Sequence, residues 1–178
     1  MIEQLSIKHT VPQDLGAMMD LFSEARATIA TLGIDQWQNG YPSEEIVVED
    51  IRLSRSYAVK EGEALLGTFV MMEKEPTYDK IYDGAWLTGE RTAGYLAIHR
   101  VAVAVACRGK GVSTSILNYA EEEAKRRGLT SLRIDTHEGN KVMRRMLEKH
   151  GFSYCGVIHL ENGDLRVAYE RKVGEAAL

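Results

Sequence analysis

Cysteine is scarce in this sequence. Cys107 and Cys155 are the two it has, too few and too far apart for a disulfide framework or a zinc site, and a reducing cytoplasm is the simplest compartment for them. Long apolar runs are missing too. No stretch comes near the roughly 18 apolar residues that span a bilayer, so no membrane partner is expected. The first eight residues, Met-Ile-Glu-Gln-Leu-Ser-Ile-Lys, lack the apolar centre of a secretory signal. Positive charge is not in excess. The 22 Lys and Arg stand against 26 Asp and Glu, a net charge of −4, so no nucleic-acid partner is expected either. There is no internal repeat and no low-complexity linker. What is left is an ordinary globular composition, 44% hydrophobic and 27% charged over 178 residues, enough for one domain, residues 1–178, with a proper core.

Residues 5–9 alternate and read as a first strand. Thr10 can cap the helix that follows, with Pro12 in its first turn. Leu15, Met18, Met19, Phe22, Ala25, Ile29 and Leu32 recur at helical spacing until Gly33 stops them. Residues 34–42, Ile-Asp-Gln-Trp-Gln-Asn-Gly-Tyr-Pro, are a loop by their Asn-Gly and Tyr-Pro content. Ser43 caps a second helix ending near Ser54. Residues 57–60 and 64–72 form a hairpin around Gly62. A long irregular piece, residues 75–94, follows, and loops of that length are usually functional or mobile. A strand at 95–105 leads to a helix at 112–127. There Val112, Ile116, Ala120 and Ala124 line one face, and Glu121–Lys125, Glu122–Arg126 and Glu123–Arg127 pair on the other. A strand at 131–136 precedes a short helix at 140–150, with Val142, Met143, Met146 and Leu147 apolar. A last hairpin, 152–160 with 165–172, turns at Asn162-Gly163. The order β-α-α-β-β-β-α-β-α-β-β is that of a mixed α/β layer fold.

The most informative stretch is Arg108-Gly109-Lys110-Gly111-Val112-Ser113. It joins a strand to a helix N-terminus through a glycine-rich turn, where successive N–H groups converge and the helix dipole favours an anion. Gly109 and Gly111 let the main chain approach a ligand closely. We read it as a pyrophosphate cradle. Two other phosphate motifs do not fit. A P-loop needs its Lys after the second glycine, whereas Lys110 lies before it. The dinucleotide fingerprint needs Gly or Ala where Thr114 stands, and no acidic residue follows at the end of a second parallel strand.

On these residues the chain resembles the GCN5-related N-acetyltransferase (GNAT) superfamily. Its Gln/Arg-x-x-Gly-x-Gly/Ala motif is matched by Arg108, Gly111 and Ser113, with Ser113 departing from the usual Gly or Ala. Its second signature, an Asn opening a helix that ends in Gly-Phe, is matched by Asn140 and by Gly151-Phe152. The resemblance covers nearly the whole chain in element order, and residues 95–152 in motif. It implies the GNAT fold, a central, mixed, mostly antiparallel twisted sheet with helices on both faces. It also implies acetyl-CoA as cosubstrate, an amine acceptor, no metal, and direct transfer without an acyl-enzyme.

The chemistry so implied assigns roles. The N–H groups of Gly109, Lys110, Gly111, Val112, Ser113 and Thr114 would cradle the pyrophosphate, with Arg108 pairing to phosphate or positioning the loop. Val101 and Val103 would offer the strand edge to the peptide-like pantetheine arm. The N–H of Val101 would face the developing oxyanion. His99, nine residues before Arg108, where the family places a catalytic His in some members, is the candidate base, acting through water. The alternative is a histidine simply satisfied in its strand. Many family members have a proton-donating Tyr where this chain has Leu147, so Tyr154, Tyr41 or solvent must serve instead. A thiol near its ordinary pKa of about 8.5 does not strictly need an assigned acid. Asn140 either contacts the pantetheine or only caps its helix. Cys107 precedes the turn, and a direct transfer gives it no nucleophilic task.

For the acceptor, the resemblance points to the loop at 34–42. Trp37 and Tyr41 are large aromatics in polar surroundings, Gln38 and Gln36 offer hydrogen bonds, and Asp35 can attract a cation. The alternative for Trp37 is a plug between the first two helices. Tyr82 in the 75–94 piece is placed to form the opposite wall or part of a lid. The expected acceptor is a primary amine of a small molecule. A peptide or protein N-terminus, or an acyl-CoA sensor with little catalysis, are the competing readings. Family members are often dimers, so a homodimer through the C-terminal hairpin is compatible, and a monomer nearly as much so.

Overall fold

The computed structural model describes residues 5–89 and 94–174. The first four residues of the N-terminal segment and residues 90–93 of the irregular piece lie outside the described residues. Among the described residues there are seven strands: β1 (Ser6–His9), β2 (Ser56–Glu61), β3 (Ala64–Met72), β4 (Tyr95–Val103), β5 (Ser131–Thr136), β6 (Ser153–His159) and β7 (Leu165–Lys172). Four α-helices accompany them: α1 (Leu15–Ala30), α2 (Glu44–Arg52), α3 (Val112–Arg126) and α4 (Lys141–Lys149). The strands make one mixed sheet in the order β1-β2-β3-β4-β5-β7-β6, flanked by the helices. The chain divides into two interleaved compact units, Met1–Met71 with Arg100–Tyr119 and Met72–His99 with Ala120–Leu178. β4 therefore passes from one to the other between His99 and Arg100.

In the first unit β1 is antiparallel to β2 and β2 to β3, the hairpin turning where Gly62 takes φ 59°. Met18, Leu21 and Phe22 of α1, Val47 of α2 and Ala102 of β4 form its core. Tyr57 stacks on Phe69, and both rings meet Tyr119 of α3. Ser43 caps α2 as its sequence implies, its Oγ accepting the N–H of Ile46. Thr10 does not cap α1. It is buried, its hydroxyl meets that of Ser56, and α1 is entered through a 3₁₀ turn, Pro12–Asp14. A long-range partner has displaced the local one. Leu32 is exposed because α1 stops at Ala30, two residues short of it. β4 likewise ends at Val103, since Val105–Cys107 coil into another 3₁₀ turn.

In the second unit β5 and β4 are parallel over Tyr95–Ala97 and Ser131–Arg133, and β7 lies antiparallel to both β5 and β6. Tyr78, Trp86, Ala97, Cys155, Ile158 and Ala168 form the core. Two of these belong to the irregular piece, which is pinned down rather than loose. The Trp86 indole N–H donates to the carbonyl of Tyr78 at 3.0 Å. Tyr82 and Val157 exchange two main-chain hydrogen bonds of 2.8 Å. Gly84 runs so close to β6 that a Cβ there would stand 1.9 Å from the carbonyl oxygen of Cys155. Arg133 is sandwiched at 4.2 Å from the rings of Trp86 and Tyr95 and paired with the buried Glu170 at 3.0 Å. In α4 Leu147 is fully buried, but Val142 is 65% exposed and faces solvent rather than the core. Glu121–Lys125 and Glu123–Arg127 pair as their spacing implies, and Glu122 meets Lys125. No helix among the described residues is long and apolar enough to cross a membrane.

Candidate active site

β4 is not a regular strand. Arg100 takes φ 49°, a left-handed conformation that a non-glycine residue adopts at a cost of about 1–2 kcal/mol. Such a kink re-aims the side chains that follow it. The guanidinium holds the residue there. Its Nε and Nη2 donate to the two oxygens of Asp50 at 2.7 Å each, and Nη1 donates to the Tyr41 hydroxyl at 2.7 Å. Asp50 is 1% exposed and also receives Arg55 at 2.6 Å.

Beyond the kink, alternate residues address opposite edges. The N–H of Ala104 donates to the carbonyl of Leu66 on β3. The carbonyl oxygen of Ala102 lies 3.2 Å from where a Cβ on Gly67 of β3 would stand. Val101 and Val103 therefore turn their main-chain groups away from β3. This is the edge on which the sequence places the pantetheine arm.

The glycine-rich turn follows. Gly109 and Gly111 have φ 76° and 81°, and a Cβ on either would meet nothing within 4 Å. Open space thus lies beside two left-handed glycines at the N-terminus of a 15-residue helix, a fit for a pyrophosphate. The donor set is smaller than the sequence implies. The N–H of Lys110 is turned back to the carbonyl of Cys107, and that of Arg108 to Val105. Ser115 closes the first helical turn on Gly111, Thr114 has an interaction of its own within the protein, and Gly109, Gly111, Val112 and Ser113 are the candidate donors to an anion. Lys110 and Arg108 can contribute through their exposed side chains. Cys107 is buried.

His99 belongs to the second unit, at the end of its stretch of β4. Its Nε2 lies 2.9 Å from Oε2 of Glu75. The N–H direction is off the line between them, so Nε2 is a buried atom without a well-formed hydrogen bond. Glu75 is held firmly. The Tyr95 hydroxyl accepts its N–H at 3.0 Å and donates to its carbonyl at 3.2 Å. Oε1 accepts from the N–H and hydroxyl of Thr77. Burial would raise the Glu75 carboxyl, but His99 and the Thr77 donors outweigh it and hold the pKa at about 2. Tyr78 lies with its ring 5.7 Å from that of His99 and donates its O–H to Asp135 at 2.6 Å. Burial pushes both Tyr78 and Asp135 upward.

The other expected residues are placed as follows. Asn140 is the N-cap of α4, its Oδ1 accepting the N–H of Met143 at 3.2 Å. Trp37, at φ 63°, packs edge-on to Phe22 and against Tyr41, so one side of it covers the first unit's core. Gln38 folds its amide back onto the carbonyls of Gln36 and Arg26. Tyr82 stacks on His159 with ring centroids 3.9 Å apart, which ties it to β6. Leu147 leaves no hydroxyl in α4, and Tyr154 sits half-exposed against Tyr169. Burial pushes the Cys155 thiol up to about 11, which makes it inert. Among the described residues no group of three or more His, Cys, Asp or Glu is placed to hold a metal ion. Glu75 and Asp50 are absent from the sequence-level expectations, and no local pattern marks either.

Comparison with known proteins places this geometry. The model of the acetyltransferase (GNAT) family matches residues 18–152. The acetyltransferase GNAT family structure from Streptococcus agalactiae 2603 is 34% identical, with a TM-score of 0.85, covering 98% of each chain. The curated acetyltransferase Atu2258 of Agrobacterium fabrum is 36% identical over 70 residues, 39% of this chain and 50% of that protein. The chain thus spans about half the length of that relative. The PaiA N-acetyltransferase of Thermoplasma acidophilum, solved in complex with coenzyme A, shares the fold at 16% identity and a TM-score of 0.71, covering 95% of this chain and 99% of that one.

Proposed function

The chain belongs to the acetyltransferase (GNAT) family, and from that premise we propose that it transfers the acetyl group of acetyl-CoA directly to a primary amine of a small molecule. The observation that carries the cosubstrate is the turn of Gly109 and Gly111, open on its outer side at the head of α3. A fold neighbour solved with coenzyme A supports the same reading.

In this reading the N–H groups of Gly109, Gly111, Val112 and Ser113 hold the pyrophosphate, assisted by Arg108 and Lys110. The pantetheine amides pair with Val101 and Val103 as an added strand. The N–H of Val101 stabilises the oxyanion as the amine attacks the thioester carbon. His99 takes the amine's proton, directly or through water. The N–C bond forms, the C–S bond breaks, and the CoA thiolate is protonated by solvent, since Leu147 offers nothing. Trp37 and Tyr41 give the acceptor an aromatic wall. The whole chain works as one acetyltransferase domain in the cytoplasm.

Calorimetric titration with acetyl-CoA, repeated with a panel of amines while thiol release is followed, tests this. Micromolar binding with release for a small amine is the expected result. Binding without release from any small amine, but release with a peptide N-terminus, would move the acceptor to proteins. Absence of binding overturns the cradle.

A further inference from the structure

The contact between His99 and Glu75 has no part in the function so far. Nε2 of His99 is shut from solvent and lies 2.9 Å from Oε2 of Glu75. The His99 side chain as a whole keeps 14% of its surface, essentially none of it at Nε2. Glu75 is tied at its main chain and at its carboxylate. Tyr95 grips its main chain on both sides, and Thr77 binds Oε1 twice, which leaves Oε2 for the histidine. The Tyr78 ring lies beside the imidazole.

We infer that Glu75 is a positioning residue for His99: the negative charge of its carboxylate, 2.9 Å from Nε2, favours the tautomer with the ring proton there and leaves Nδ1 as the atom that accepts the proton of the substrate amine. The inference rests on the reading of His99 as the base. The proton leaves the ammonium for Nδ1, the freed lone pair attacks the acetyl carbon, and the imidazolium that results is balanced by Glu75. Glu75 is suited to this because it stays ionised throughout the working pH range, with its pKa at about 2. A fixed anion behind one ring nitrogen selects the tautomer and strengthens the other nitrogen as an acceptor. The charged and titratable groups around the pair are Tyr95 from β4, Tyr78 from the following turn, and Asp135 from β5 with Arg166 of β7 near it. Asp135 accepts from Tyr78. Glu75 is therefore the carboxylate in direct contact with the ring.

The test is ¹⁵N NMR of the His99 ring in the full chain, read beside steady-state kinetics with acetyl-CoA and the best amine of the panel. The wild type is expected to show a protonated Nε2 and an unprotonated Nδ1. Glu75→Gln should mix the tautomers and lower kcat roughly ten- to a hundredfold with KM for acetyl-CoA unchanged. In a His99→Ala background the same change should cost nothing more. If Glu75→Gln does not fold, Thr77→Val, which removes the hydroxyl donor to Oε1 and keeps the main-chain one, should mix the tautomers in the same sense. An unmoved ring spectrum, with His99→Ala inactive, overturns the role of Glu75 alone. Undiminished turnover in His99→Ala overturns the base itself, whatever the spectrum shows.

Discussion

The guanidinium of Arg100 is clamped by the carboxylate of Asp50, Nε on Oδ2 and Nη2 on Oδ1, at 2.7 Å each. The clamp secures the left-handed residue that kinks β4 between His99 and Val101. Asp50 also carries Arg55, so its removal strands two cations. Asp50→Asn should destabilise the protein by about 3 kcal/mol, measured by denaturant unfolding. A loss below about 1 kcal/mol would show that the ion pair does not hold the kink.

Gly111→Asp should abolish acetyl-CoA binding. The φ of 81° strains any side chain, and the new carboxylate would stand in the open space proposed for the pyrophosphate. Calorimetry checks this beside circular dichroism. Affinity retained within threefold in a folded variant would place the phosphates elsewhere.

His99→Ala should lower kcat/KM most below pH 8, by roughly a hundredfold. It should recover part of the loss at higher pH, where more of the amine arrives deprotonated. A pH–rate profile of unchanged shape would remove His99 from proton transfer.

Gly84→Ala should destabilise the second unit by about 2 kcal/mol, because its methyl group would overlap the Cys155 carbonyl. Hydrogen exchange should rise at Tyr82 and Val157, whose two hydrogen bonds join the irregular piece to β6. If exchange there is unchanged, the close approach is not what pins the segment.

Acid should weaken the fold in a defined window. The Glu75 carboxyl drops from 4.5 when free to about 2 when folded. The group therefore contributes stability that is complete above pH 4.5 and is lost as pH falls toward 2. Asp14, Glu123 and Glu170 are also held low, so the readout is a difference. Glu75→Gln should be less stable at neutral pH by about 1 kcal/mol, a figure reduced for the pair's contact with solvent. Its stability should fall less steeply than the wild type's between pH 4.5 and 2.

What the sequence made legible was local. The glycine-rich turn lies within six consecutive residues, and its two left-handed glycines are readable there. The Ser43 cap, the hairpin at Gly62 and the apolar face of α3 are readable for the same reason. What stayed hidden depends on contacts made by topology. Thr10 has the chemistry of a cap, but Ser56, 46 residues away, takes its hydroxyl. Asp50 is an ordinary helical acid until the fold brings it to Arg100, 50 residues on. Glu75 sits in a stretch with no regular period, so nothing near it names His99 as its partner. Trp37 is ambiguous in sequence because a loop aromatic can face either solvent or core, and here one side of it covers Phe22.

β7 lies between β5 and β6 although it follows both along the chain. It brings Glu170, fully buried, to which Ser131, Thr88 and Arg133 all donate. On the ribosome β6 thus emerges before the strand it pairs with, and Arg133 waits without its counterion until the last hairpin is out. The sheet of the second unit is completed only by the last strand in sequence, and until β7 is out the edges of β5 and β6 that it joins have no partner in each other.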